Sequence, residues 1–144
     1  MDSESVKKWK AERIEEGILD EECFIELENI YKYNPEGIAE RIPCLLETME
    51  SELRKVARYQ KGLTGDLDES MDALTSLQFA STRIGCKKIK TKIEEMAGVD
   101  EEEADMWSDA RREMNRALAE LKIHMDTYLT IQMDSKELLI IETR

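Results

Sequence analysis

The sequence predicts an all-α protein: an antiparallel four-helix-bundle core with additional N-terminal and shorter helices, about six in all. Three observations point there. Charged residues make up 38% of the chain and apolar ones 41%, with only six Gly and two Pro, a mix that suits long helices with solvated outer faces. Apolar residues recur at three- and four-residue spacing, and no alternating strand pattern stands out. The breaks between periodic stretches are short, so consecutive long helices should lie side by side. The 144 residues fit a single domain spanning 1–144.

The first helix is expected over about 5–17, with Val6, Trp9, Ile14 and Ile18 as a loose apolar stripe and Gly17 able to end it. Asp20 is a good N-cap for the second, where Cys23, Phe24, Leu27, Ile30 and Tyr31 fall at helical spacing. Asn34-Pro35 closes that helix and opens the next, since Asn caps well and Pro suits the first helical position. The third helix, about 35–61, is lined by Ile38, Ile42, Leu45, Leu46, Met49, Leu53 and Val56, and Pro43 inside it is expected to kink it.

A turn is expected at 62–66, then a fourth helix with Leu67, Met71, Leu74 and either Gln78 or Leu77 facing inward, broken at Ile84-Gly85. Cys86 to Met96 offers Ile89, Ile93 and Met96 as a fifth helix, stopped by Ala97-Gly98. The sixth should begin near Asp100 and run to about 132, with Trp107, Ala110, Met114, Ala117, Leu121, Met125 and Tyr128 sustaining the spacing of a helix packed lengthwise. Residues 133–144 are a helical end or a loose tail.

Thirty-three acidic residues against twenty-one basic leave a net charge of −12, which repels phosphate backbones and anionic lipid. Neither nucleic acid nor membrane is an expected partner. No apolar run approaches the roughly twenty residues that span a bilayer, and the first residues lack a signal-peptide core, so an intracellular protein is expected. Cys23, Cys44 and Cys86 form no CxxC pair, and one histidine does not complete a zinc site, so they read as reduced thiols. The eight methionines read as packing.

Little in the chain suggests catalysis. His124 reads as a surface or groove histidine without an orienting partner. The acidic runs read as solvated faces and helix starts. There is no Glu-x-x-His pair and no glycine-rich phosphate loop. No enzymatic activity, metal or cofactor is expected. What remains is the fourth helix, where Thr75, Phe79 and Thr82 form a stripe flanking the inward face. Phe79 packs there against a neighbouring helix or offers a contact point to another protein, the first being the expected reading.

From Leu19 to Tyr128 the chain resembles the plant histidine-containing phosphotransfer proteins of the cytokinin two-component pathway. Leu19-Asp20 followed by Phe24, Leu27 and Ile30 is similar to that family's second helix, and Asn34-Pro35 to the turn after it. The family's fourth helix carries the motif His-Gln-Leu-Lys-Gly-Ser-Ser-Ser-Ser-Ile-Gly-Ala. Here the stretch from Thr75 to Cys86 keeps Leu77, Ser81, Ile84 and Gly85 in register, and Lys87 to Lys90 resembles the basic start of the next helix. The resemblance puts Thr75 where the family has its phosphate-carrying histidine, Gln78 in place of its lysine and Phe79 in place of its glycine. A phosphoimidazole passes its phosphoryl group to an aspartate and back, whereas a threonine phosphoester is far more stable.

The resemblance therefore implies a catalytically inactive pseudo-phosphotransfer protein. It would bind receiver domains of hybrid histidine kinases or response regulators through Thr75, Gln78, Phe79 and Thr82, and dampen the cytokinin phosphorelay. It further implies a monomer in cytoplasm and nucleus. The alternatives are a helical scaffold unrelated to phosphorelays and, less favoured, an active relay intermediate.

Overall fold

The computed structural model describes residues 4–60, 67–96 and 104–142, and among them the chain forms six helices. These are α1 (Glu4–Glu15), α2 (Glu21–Ile30), α3 (Pro35–Gln60), α4 (Leu67–Ile84), α5 (Lys87–Met96) and α6 (Ala104–Glu142). The turn at 62–66, the stop at Ala97-Gly98, the start near Asp100, and the side chains of Leu67 and Trp107 lie outside the described residues. Helices α3, α4, α5 and α6 pack as a ring, each against the next and α6 against α3, with α2 added on α4 and α1 on α6. The fourth member of the ring is thus the ten-residue α5, not a long helix.

The strongest sequence signal is the α3 stripe, and every residue of it is buried, from Ile38 to Val56. Each such side chain contributes about 1.5–3 kcal/mol relative to exposure. Helix α3 runs unbroken through Pro43. Both Pro43 and Ala39 are exposed, so water can serve the Ala39 carbonyl that Pro43 leaves without a donor.

Helix α4 is rotated from its expected setting. Its buried residues are Ala73, Leu74, Leu77, Ala80, Ser81 and Ile84, while Met71 is exposed and Gln78 half-buried. Small residues on this face let α4 sit close to its neighbours. Helix α6 shows a smaller shift: Leu118 is buried and Ala117 only partly. The helix also continues through most of the expected tail, to Glu142. Ile30 and Met133 are exposed as well, so the methionines and the α2 stripe are not wholly packing residues.

Two helix ends clasp each other. Gly17 (φ +76°) and Gly85 (φ +78°) each follow a helix in the left-handed region. The next residue's N–H returns five residues, Ile18 to the Arg13 carbonyl (3.0 Å) and Cys86 to that of Ser81 (2.8 Å), which closes a Schellman end on α1 and on α4. The exiting strands then pair: Asp20 N–H donates to the Gly85 carbonyl (2.8 Å) and Lys87 N–H to that of Ile18 (3.2 Å). Beside this clasp Trp9, Phe24 and Tyr128 of α1, α2 and α6 form an aromatic cluster with centroids 5.0–5.8 Å apart.

Candidate functional site

Helix α4 divides lengthwise into a buried face and an open one. Thr75, Ser76, Phe79, Thr82 and Arg83 are exposed along its middle and C-terminal turns. Phe79 is 63% exposed, so it does not pack into a neighbouring helix as expected, and its ring faces solvent. Its ring lies under the Arg83 guanidinium, 5.7 Å from the centroid. The Thr75 hydroxyl donates to the Met71 carbonyl one turn back (3.0 Å), an ordinary use of threonine in a helix.

The open face of α4 borders a shallow groove of about 370 Å³ against α3. It is lined by Thr75, Ser76, Phe79, Ala80 and Arg83 from α4 and by Arg41, Leu45 and Thr48 from α3. Of the expected contact residues, Thr75 and Phe79 meet in this groove. Gln78 and Thr82 are not among its lining residues; they lie on the same helix, half-buried and exposed respectively.

Arg41, Ser76 and Arg83 were not singled out in the sequence. Arg83 could have been found, since it continues the Thr75–Phe79 stripe by one more turn. Arg41 becomes a neighbour only through the packing of α3 on α4.

The chain's one histidine is elsewhere. His124 lies half-buried on α6, where its Nδ1 accepts a hydrogen bond from the Arg13 guanidinium of α1 at 3.2 Å. An imidazole accepting at Nδ1 carries its proton on Nε2. The three cysteines are unpaired: Cys44 exposed, Cys23 half-buried and Cys86 buried. Burial pushes the Cys86 thiol up to about 11, so it stays protonated and inert near neutrality.

This bundle has the fold of solved plant histidine-containing phosphotransfer proteins. A rice structure assigned as such a protein superposes with a TM-score of 0.79 at 14% identity, covering 90% of this chain and 92% of that one. The maize protein gives 0.77 at 16%, over 91% and 96%. The Medicago truncatula protein gives 0.79 at 13%, over 93% and 92%. At such identities the likeness is one of fold. No protein-family model and no curated protein matches the sequence.

Proposed function

We propose that this chain is a pseudo-phosphotransfer protein. It docks on receiver domains of sensor histidine kinases and response regulators, carries no phosphate of its own, and dampens the cytokinin phosphorelay by competing with active carriers in cytoplasm and nucleus. One observation carries this reading: the open groove beside α4 holds Thr75 and no imidazole, while the single histidine is engaged with Arg13 on α6. The fold likeness and the ordered motif from Thr75 to Cys86 support the receiver as partner. A hydroxyl that donates to its own helix, with no base among the described residues lining the groove, is a poor nucleophile toward a phosphoryl group.

The test is titration of the chain against isolated receiver domains, including those of hybrid kinases. Saturable binding without phosphate transfer is expected. A folded protein that binds none of them would sink the proposal in favour of an unrelated scaffold. Acid-labile, base-stable phosphate on the chain after incubation with a phosphorylated receiver would instead mark an active carrier.

A further inference from the structure

Among the described residues, the groove between α3 and α4 is lined by two arginines and no carboxylate, on a chain that is acidic overall. The chain has 33 acidic side chains, and its cations are widely engaged by them: Arg13, Arg54 and Arg112 each hold a carboxylate. Among the described residues neither Arg41 nor Arg83 has a carboxylate partner, and no carboxylate lines the groove they share. The α5–α6 groove differs in its acids: Glu95, Glu113 and Glu120 line it and hold Lys88 and Lys92.

Arginine stays charged at any physiological pH, and its planar fork matches the oxygens of a phosphoryl group. Arg83 rests over the Phe79 ring, which restricts where its charge can point. Thr48, Thr75 and Ser76 add three hydroxyls to the same groove. Two of them now donate to backbone carbonyls, Thr48 to Cys44 and Thr75 to Met71, and can turn to an incoming anion. Among the described residues, two guanidinium groups without a carboxylate partner, three hydroxyls and no acid give this groove the chemistry that suits a phosphoryl oxyanion.

We infer that this groove reads the phosphorylated state of a receiver: Arg41 and Arg83 engage the phosphoryl group on the receiver's aspartate, so the chain binds the phosphorylated form in preference. The inference rests on the receiver docking proposed above and assigns it a trigger. No bond is made or broken. The phosphoryl group stays on the aspartate, and the chain captures charged receivers rather than discharging them.

The test compares one receiver domain, with and without beryllium fluoride as aspartyl-phosphate mimic, titrated with the full chain. The mimic-loaded receiver is expected to bind about tenfold more tightly or better, the scale of hydrogen bonds to a charged group. Arg41→Gln with Arg83→Gln should abolish that preference, so that loaded and unloaded receiver bind with the same affinity, with helical content unchanged. Equal binding of both forms by the unaltered chain, or a preference that survives the double substitution, overturns the inference and leaves receiver docking standing. Binding of neither form overturns both. Beryllium fluoride or inorganic phosphate bound as tightly without the receiver overturns it too, as a generic anion site.

Discussion

Tyr128 donates its hydroxyl to Glu28 across 3.0 Å, joining the middle of α6 to α2. The same carboxylate holds Lys10 of α1 at 2.8 Å, and Gln132 donates back to the Tyr128 oxygen at 3.0 Å. Both charged side chains of the pair are largely buried, at 16% and 15% exposure, so this knot fixes three helices with little solvent screening. Tyr128→Phe should destabilise the fold by about 1–2 kcal/mol, and Glu28→Ala by more, since it leaves Lys10 beside an apolar cluster without this partner. Urea unfolding followed by circular dichroism measures both.

The two left-handed glycines should respond differently to the same change. A Cβ on Gly17 meets nothing within 4 Å, so Gly17→Ala costs only the left-handed penalty of about 1–2 kcal/mol. A Cβ on Gly85 would sit 3.1 Å from the Asp20 carbonyl oxygen and 3.2 Å from Phe24. Gly85→Ala should therefore cost at least about 1 kcal/mol more than Gly17→Ala in the same unfolding assay.

Acid should loosen the start of α2. Asp20 caps that helix through the Cys23 backbone N–H at 3.1 Å, and this bond above all, with help from Lys90 at 3.6 Å, holds its carboxyl below the ordinary 3.8. A depressed carboxylate stabilises the fold fully above its unfolded pKa, and that contribution fades as pH falls through the lower folded value. Stability measured from pH 6 downward should drop below about pH 4. Asp20→Asn, which keeps the cap, should flatten that part of the profile, while Asp20→Ala should lose about 1 kcal/mol at neutral pH.

Phe79→Ala tests whether the ring anchors the proposed receiver docking. The ring is mostly exposed, so the substitution should change fold stability by no more than about 0.5 kcal/mol. If the aromatic face is an anchor, receiver affinity falls at least about tenfold. The expected outcome is this loss, because the ring lines the groove and supports Arg83.

The fold was legible where burial and hydropathy coincide. The α3 stripe runs over many turns of large aliphatic residues, and no alternative helix setting buries them all. Helix α4 was set wrongly because its buried face is partly Ala73, Ala80 and Ser81, which hydropathy weights little, while Met71 supplies a large apolar side chain to the solvent side. The Ser81 hydroxyl illustrates the point: it is fully buried with no hydrogen-bond partner among the described residues. The site was half legible. Thr75 and Phe79 share a stripe that one helix defines, but Arg41 joins them from α3, and only tertiary packing selects it.

The lengthwise division of α4 separates two kinds of selection. Ala73, Leu77, Ile84 and Gly85 answer to the interior and to the clasp with Asp20, whereas Thr75, Phe79 and Arg83 answer only to whatever arrives from outside. Mutations on that outer edge are nearly invisible to folding. A lineage with this architecture can exchange a chemical role for a recognition role in a few substitutions, each intermediate remaining a well-folded protein.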